Sequence, residues 1–427
     1  MKSKLTTRVI SLYGAGVLVC SSRGVFELLV SKVVGYASQL GVLILLALIF
    51  FKIYFFRARI NRSLPIFLFW CITTLLAFSL GLTILDGSNS PLQAIVVLGP
   101  NLLNIFFAAA AFHIATDRGL PEYSSSTVKR FTSVVVGVSL YVSTLSILQY
   151  AGVLDFPGDV TIGEALRLSG PLGSKQHLSL VVAIFGLILL SIVSRSPSPL
   201  TITAFLINLF VLFFCFTRIG YFVFFSTLLI WGCLNGKRII AALMSRKGAA
   251  ALVFGVIILA VANSYFRKEV EAFANRADVD VADRSNTVRM DAWRQGLDFY
   301  SNETTLIVSN RVGSASQIPA QILNLPVYYY ESGQIQYLIN FGLLPFILIN
   351  MIFVGWFFMS PKLGVAKGAP LALSAALFIY MFNEIVPVFV LFPLIAMEQR
   401  IFVSATRTEA LRPTTNGMNV SRSRAFI

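Results

Sequence analysis

The feature that most constrains this chain is a series of long apolar runs that recur along its 427 residues. A helix that crosses a bilayer needs roughly 20 consecutive apolar residues, and these runs are about that long. Only 12% of the residues are charged, compared with about a quarter in soluble domains. Together these observations exclude a water-soluble enzyme, a disordered chain and a small secreted module stabilised by disulfides.

Polar and charged breaks divide the apolar runs into twelve predicted transmembrane helices. The first and the last two are short, and residues 371–398 are also consistent with one broken pair. The sequence therefore predicts an all-α, polytopic membrane bundle of about 12 helices, with a large outer loop that contains amphipathic helices. The predicted spans are residues 9–20, 36–55, 64–84, 94–115, 131–151, 176–193, 200–216, 219–234, 249–264, 334–358, 371–383 and 387–398.

This layout divides the chain into four parts. Residues 1–264 hold the first nine predicted helices, and residues 334–398 hold the last three. Between them, residues 265–333 form a 69-residue outer loop with 7 basic and 9 acidic side chains. Residues 399–427 are predicted to form a disordered tail that lies against anionic lipid.

The distribution of lysine and arginine predicts that both ends of the chain face the cytoplasm. With the N-terminus inside, the cytoplasmic segments hold 22 of the 34 basic residues, whereas the short outer loops hold 5. Lysine and arginine accumulate on the cytoplasmic side of a membrane, and long loops follow this rule poorly. The net charge of +15 is thereby explained without a nucleic-acid partner.

No residue pattern in the sequence indicates a metal or a cofactor. The four cysteines lie in or beside apolar runs and form no C-x-x-C pair, so we interpret them as small apolar side chains. The two histidines, His113 and His177, are too few and too far apart for a metal cluster. A phosphate-binding Walker loop and a glycine-rich dinucleotide turn are also missing from the sequence.

Arg218 is the most informative charged residue, because apolar residues flank it and the predicted layout leaves almost no loop there. A charge at such a place is costly unless it faces a cavity, a partner or the lipid headgroups. It is either an arginine that extends to the outer interface or a functional cation. Arginine suits phosphate because its planar fork donates two parallel hydrogen bonds.

Three further outer segments carry candidate functional residues. Arg167 begins a stretch with glycine, serine and lysine that ends at His177, which suits either an anion cradle at a helix start or an ordinary loop. Glu331 follows three tyrosines, which suit either sugar stacking or the aromatic belt of a membrane protein. Glu384 is a second outer carboxylate in an apolar setting and suits pairing with an arginine.

The large loop contains a predicted amphipathic helix. Trp and Tyr on one face suit a helix that lies on the membrane interface, or one that covers the bundle. Asp283 or Ser285 is expected to cap its start. The apolar face, with offsets of 0, 3, 7 and 10, consists of Met290, Trp293, Leu297 and Tyr300.

Four stretches resemble the bacterial O-antigen polymerase (Wzy-type) and O-antigen ligase superfamily. Thr217-Arg218-Ile219-Gly220 is similar to the Ser-Arg-x-Gly that begins a span in this family. The stretch from Arg284 to Trp293 is similar to its Arg-then-Trp helix in the large outer loop. The third is Arg167-Leu168-Ser169-Gly170-Pro171 ahead of a span. The fourth is Glu331-Ser332-Gly333 followed by Leu338-Ile339-Asn340-Phe341-Gly342-Leu343-Leu344, similar to the loop exit and the Gly-hydrophobic turn of the family.

The resemblance implies a glycosyltransferase of the inner membrane that needs no metal or cofactor and acts at the periplasmic face in lipopolysaccharide biosynthesis. Its donor would be a growing glycan on undecaprenyl pyrophosphate, and its acceptor a single lipid-linked repeat unit. A chain-length-determinant co-polymerase is implied as a partner by the family alone. Ligases of this superfamily carry a histidine near the loop exit, where this chain has Glu331-Ser332, so polymerase is favoured over ligase.

The resemblance also implies roles for individual residues. Arg218 and either Arg284 or Arg289 are expected to bind the pyrophosphate, with Arg167 assisting, and Arg218 also to act in catalysis. Glu331 is expected to act as the general base or to position the acceptor. A flippase or transporter for lipid-linked oligosaccharide is the alternative outside this family, since it would also be a basic, polytopic membrane protein.

Overall fold

The structure is a computed structural model that describes residues 2–52, 63–87, 89–116, 124–156, 160–162, 165–243, 267, 279–314, 332–361, 364–379 and 387–410. Within these ranges the chain forms fourteen α-helices, two short 3-10 turns and one two-stranded antiparallel hairpin. The helices are α1 (Lys2–Cys20), α2 (Arg23–Leu29), α3 (Lys32–Phe50), α4 (Leu64–Asp86), α5 (Pro91–Thr116), α6 (Ser125–Tyr150), α7 (Lys175–Val193), α8 (Pro199–Phe214), α9 (Arg218–Leu243), α10 (Val279–Glu303), α11 (Gly333–Phe341), α12 (Leu343–Met359), α13 (Ala369–Ile379) and α14 (Pro387–Ala410). The hairpin pairs β1 (Val160–Ile162) with β2 (Ala165–Arg167), and the 3-10 turns are Gly170–Leu172 and Val365–Gly368.

Six of the described helices are long and apolar enough to cross a membrane, namely α3 to α7 and the first 19 residues of α9. Val9–Cys20 and Arg23–Leu29, which meet at a bend of 50°, make a seventh if the pair is one broken span and not a re-entrant loop. These helices indicate a membrane protein, as the apolar runs predict. The count of about twelve spans stays a prediction, because residues 249–264 lie outside the described residues and several other helices are short.

The helices begin and end at two opposite ends of the bundle, and we call one of them the loop end. At the loop end the backbone N–H of Leu168 donates to the Phe214 carbonyl over 3.4 Å, so the segment before α7 contacts the C-terminal end of α8. The loop end also contains the C-terminal ends of α4 and α10 and the break between α11 and α12. The described part of α1 starts at the opposite end, and α14 runs toward that end.

Buried polar contacts fix the opposite end of α12. The Lys367 ammonium donates to the Ser360 carbonyl over 2.6 Å and to the Ser360 hydroxyl over 2.9 Å. The Trp356 indole N–H donates to Gln399 over 3.0 Å, and the Gln399 amide donates to the Ala366 carbonyl over 3.1 Å. Since the last carbonyls of a helix lack partners within it, these contacts hold the end of α12 against α14.

One predicted span, residues 334–358, is two helices in the structure. α11 ends at Phe341 and α12 begins at Leu343, and Gly342 between them has φ 89° and ψ 177°. Pro345 favours the break, because proline lacks an N–H and its ring clashes with the preceding turn of a helix. Hydropathy does not reveal this break, since the residues on both sides of Gly342 are apolar.

Two other helices are longer than predicted. α10 begins at Val279, so Asp283 and Ser285 lie inside the helix and do not cap its start. α14 continues to Ala410, so the first part of the segment predicted as a disordered tail is helical. The difference at the start of α10 is a few residues, as is common at helix ends, whereas α14 extends 12 residues beyond the predicted span.

Candidate functional site

Arg218 begins α9 directly after a sharp junction with α8. Phe216 in this junction has φ 47°, a left-handed conformation that few residues other than glycine adopt. The Thr217 hydroxyl donates to the Cys215 carbonyl over 2.8 Å and fixes the turn. The junction has three residues, as the sequence indicates, and it leaves the Arg218 side chain exposed at the loop end.

Gly220 allows α9 to approach the start of α7. A Cβ atom at position 220 would lie 2.7 Å from Ser179 Cβ and 2.8 Å from the Ser179 carbonyl oxygen. Any larger side chain would therefore push the two helices apart. The Thr217 hydroxyl also reaches the Lys175 carbonyl over 3.4 Å, so the first residues of α9 and α7 are neighbours.

Gln149, near the end of α6, holds the segment that precedes α7. Its Oε1 accepts the backbone N–H of Ser169 over 3.2 Å and that of Gly170 over 2.8 Å, and its Nε2 donates to Ser169 Oγ over 3.0 Å. Gly170 has φ 57°, and a Cβ atom there would lie 2.5 Å from Ser146 Oγ. Only glycine fits this position, and the fixed segment follows directly on Arg167 at the end of β2.

These contacts bring together two of the four stretches that the sequence singled out. Arg167, Lys175 and Arg218 stand at the ends of three different elements that meet at the loop end. We call these three residues the basic cluster. Arginine and lysine at one such place attract phosphate groups, and the N-terminal ends of α7 and α9 add backbone N–H donors.

The third and fourth stretches also meet, because α10 packs on α11. Ala292 of α10 is buried against Ile335 and Ile339 of α11. The Arg-then-Trp helix of the outer loop therefore lies beside the helix that follows the loop exit. The partly buried residues around this contact are Trp293, Phe299 and Tyr300.

The predicted apolar face of α10 is only half packed. Trp293 and Tyr300 contact the bundle, whereas Met290 and Leu297 are 59% and 47% exposed. Burial raises the pKa of the Tyr300 phenol, and its hydroxyl donates to the Leu306 carbonyl. Small Ala292 takes the central packing position that the sequence spacing assigns to larger side chains.

Residues 306–314 of the outer loop are tied to α4. The Ser79 hydroxyl donates to the Ser309 carbonyl, and the Val312 N–H donates to Thr83 Oγ1 over 3.1 Å. This segment is therefore part of the packed structure at the loop end. Further contacts to it come from Asp86, Asn89 and Asn340.

Several polar atoms on α10 and α11 are buried without a hydrogen-bond partner in the described part of the chain. They are the Trp293 indole N–H, Gln295 Oε1 and both side-chain polar atoms of Gln336. Gln336 is only 2% exposed, whereas its neighbour Gln334 pairs with Asn350 over 2.9 Å. Buried polar groups are nearly always paired, so these atoms are candidates for contact with a ligand.

Arg218 is the one predicted site residue with a described side chain. Arg167 lies on β2, and Arg284 and Arg289 lie on α10, but the structure describes only their backbone. The roles predicted for all of these residues stay predictions. The two predicted carboxylates, Glu331 and Glu384, lie outside the described residues.

A buried ion pair that no sequence prediction includes lies beside the basic cluster. Arg23 Nε donates to Glu27 Oε1 over 2.8 Å, and the guanidinium lies 3.6 Å from the centre of the Tyr36 ring. Gly24 packs on the segment before α7, since a Cβ atom there would lie 2.8 Å from the Gly173 nitrogen. The available signal was the spacing of four residues between opposite charges on a helix.

The described residues contain no group of three or more His, Cys, Asp or Glu side chains placed to hold a metal ion. His177 is buried in the first turn of α7, at the loop end. His113 lies at the opposite end, with its Nδ1 3.0 Å from the Ser63 hydroxyl oxygen.

Comparison with known proteins gave no match. No family model matches this chain, and neither the curated proteins nor the solved structures include a significantly similar one. The function of the loop end therefore has to be argued from the residues of this chain.

Proposed function

We propose that the chain is a polysaccharide polymerase of the O-antigen type, a glycosyltransferase of the bacterial inner membrane. The observation that carries this proposal is the basic cluster, in which Arg218 begins α9 beside the stretch from Arg167 to Lys175. Cations at the end of a membrane bundle suit a substrate whose pyrophosphate lies at the headgroups and whose polyprenyl chain lies in the bilayer. The resemblance of the four stretches adds the undecaprenyl-pyrophosphate-linked repeat unit as the substrate.

In the proposed reaction, a sugar hydroxyl of the acceptor attacks the anomeric carbon of the donor glycan. The new glycosidic bond forms as the bond between that carbon and the pyrophosphate oxygen breaks. The electron pair leaves with the lipid pyrophosphate, and Arg218 neutralises the charge that develops there, assisted by Arg167 and by Arg284 or Arg289. The hydroxyl proton passes to the Glu331 carboxylate, the proposed general base.

The unpaired polar atoms of α10 and α11 support a ligand rich in hydroxyl groups. A glycan presents both donors and acceptors: the Gln336 amide is able to bind either, and the Trp293 indole N–H is able to donate to an acceptor. We propose that Gln336 contacts the sugar. Without such a ligand, an unpaired buried amide lowers the free energy of unfolding by about 1–3 kcal/mol and serves no structural role.

We expect the Gln336→Leu variant to be at least as stable as the wild type and to make less polymer. Removing an unpaired buried amide lowers its desolvation cost, while the contact to the sugar is lost. Thermal unfolding in detergent and a gel of the surface glycan measure the two effects. The matched control is Gln334→Leu on the same helix, which removes the two amide hydrogen bonds with Asn350 and is expected to lower the Tm. Wild-type polymer from a stable Gln336→Leu variant would remove this residue from the site.

The function itself is tested by the surface glycan of a strain that lacks the chain, with and without complementation. A lipopolysaccharide core that carries a single repeat unit would support polymerase, because export and ligation still work. A bare core with long lipid-linked polymer at the outer leaflet would instead indicate a ligase. A bare core with single repeat units retained inside would indicate a flippase.

One observation favours the flippase as a second candidate. Glu398 is completely buried on α14, where its carboxylate accepts a hydrogen bond from the Ser191 hydroxyl of α7. Ionisable groups inside a membrane bundle are common in transporters, where they bind ions or relay protons. If Glu398→Gln lowers export of single repeat units, the transporter is favoured; normal export with normal polymer would give Glu398 a purely structural role.

A further inference from the structure

α12 exposes a continuous apolar stripe along its whole length. Its members recur every three or four residues, so they lie on one face of the helix, and each is between 41% and 73% exposed. A helix of 17 residues is about 25 Å long, close to the thickness of the hydrocarbon core of a bilayer. In a membrane protein such a stripe faces lipid. The stripe consists of Leu343, Ile347, Met351, Val354 and Phe358.

The stripe continues beyond the N-terminal end of α12 into the outer loop. The N–H groups of Leu343 and Leu344, which have no partners within their helix, donate to the carbonyls of Leu306 and Ile307 over 3.0 Å each. The side chains of Leu306 and Ile307 are 52% and 68% exposed. Two large apolar residues of the loop therefore extend the lipid-facing surface of α12.

α10 extends the same surface further. Its Tyr300 hydroxyl donates to the Leu306 carbonyl, which fixes that part of the helix beside the loop segment. Met290 and Leu297 are seven residues apart, so they share one face, and that face borders the one that carries Tyr300. Arg294 lies on the same face and is 75% exposed, which fits a face at the level of the headgroups, where a long arginine keeps its charge outside the lipid chains. The side chains of Met290 and Leu297 are 59% and 47% exposed. The acidic residues Asp291 and Asp298 lie on a different face of α10.

We propose that α10 and residues 306–307 lie in the membrane leaflet at the loop end, with Met290, Leu297, Leu306 and Ile307 among the lipid chains. We call these four residues the apolar ridge. The backbone contacts that join Leu306 and Ile307 to α12, and Tyr300 to Leu306, identify lipid as the occupant, because the bilayer that covers the stripe of α12 also reaches these neighbouring residues. An apolar helix face of this kind is stable at the boundary between headgroups and acyl chains.

The position of α10 has a consequence for the outer loop. A helix held at the headgroups keeps Arg284 and Arg289 at the depth of lipid phosphate, where a lipid-linked pyrophosphate would also lie. The placement of the apolar ridge in the membrane does not depend on the proposed function, because it follows from side-chain exposure and backbone contacts alone.

Single cysteines on the two faces of α10 test this placement. The chain is placed in vesicles of phosphatidylethanolamine and phosphatidylglycerol, and labelling by a charged maleimide is followed by mass spectrometry of each peptide. We expect Leu297→Cys and Ile307→Cys to react about tenfold more slowly than the controls Asp291→Cys and Asp298→Cys, because a thiol among lipid chains forms less thiolate. Reading each peptide separately keeps the four native cysteines out of the measurement.

Equal labelling rates on the two faces would overturn the proposal. Slow labelling that disappears when the protein is diluted in lipid would also overturn it, because it would assign the surface to a second copy of the chain. Met290→Cys gives an independent position on α10 if one of the other variants fails to fold. The controls share the vesicles with the test positions, so a mixed orientation of the protein affects both equally.

Discussion

Replacing Arg218 with alanine is expected to lower polymer formation by about 100- to 1,000-fold, which is the usual cost of removing one group that stabilises developing charge. The side chain is exposed at the start of α9, so the fold should not depend on it. Polymer length and yield on a surface-glycan gel, together with the amount of inserted protein, measure the effect. Unchanged polymer from a normally inserted variant would disprove the role of Arg218.

Two further variants separate charge from geometry. Arg218→Lys keeps the positive charge but loses the planar fork, so we expect activity between those of the wild type and the alanine variant. Arg294→Ala serves as the matched control, because Arg294 is 75% exposed and lies 3.8 Å from Asp291. It should make polymer at the wild-type level. If Arg294→Ala and Arg218→Ala lose the same activity, a general loss of positive charge is the cause.

Gly342→Ala is expected to destabilise the fold by about 3 kcal/mol, through backbone strain and a direct clash. The φ of 89° and ψ of 177° at Gly342 belong to a region that only glycine adopts readily. A Cβ atom there would also lie 2.7 Å from the Ile307 carbonyl oxygen and 2.8 Å from Val308 Cα. These are backbone atoms, so a rotamer change cannot relieve the clash. Thermal unfolding in detergent should show a clearly lowered Tm.

Gly81→Ala is the matched control for this substitution. Gly81 lies inside α4, and a Cβ atom there would have no atom within 4 Å. Since alanine favours a helix over glycine by up to about 1 kcal/mol, the Tm should stay the same or rise. A Tm that falls equally in both variants would mean that Gly342 has no special role.

Much of the helical framework follows from hydropathy alone. Residues 176–193 were predicted as a span and form α7 (Lys175–Val193), and residues 64–84 became α4 (Leu64–Asp86). Apolar runs predict such helices well, because the bilayer requires both their length and their composition. The break at Gly342 could not be read this way, since hydropathy is continuous there and the cause is backbone geometry.

The candidate site was predictable only in part. Apolar residues around Arg218 reveal an unusual charge in the sequence, and the structure confirms that almost no loop surrounds it. Gln149 gave no such signal, because a single glutamine in a span indicates a polar contact but does not identify the partner. That partner is the Ser169–Gly170 backbone, and the pairing depends on how α6 and the segment before α7 pack.

The bonds between α4 and residues 306–314 also bear on how the protein is made. Ser79 and Thr83 leave the ribosome about 230 residues before Ser309 and Val312, their hydrogen-bond partners. Until residues 306–314 have been synthesised, these α4 hydroxyls lack that pairing. Contacts so distant in sequence form late, so the loop end is completed only after most helices are inserted. A chain that stops before residue 306 would lack both this pairing and the four helices α11 to α14, which pack into the same core.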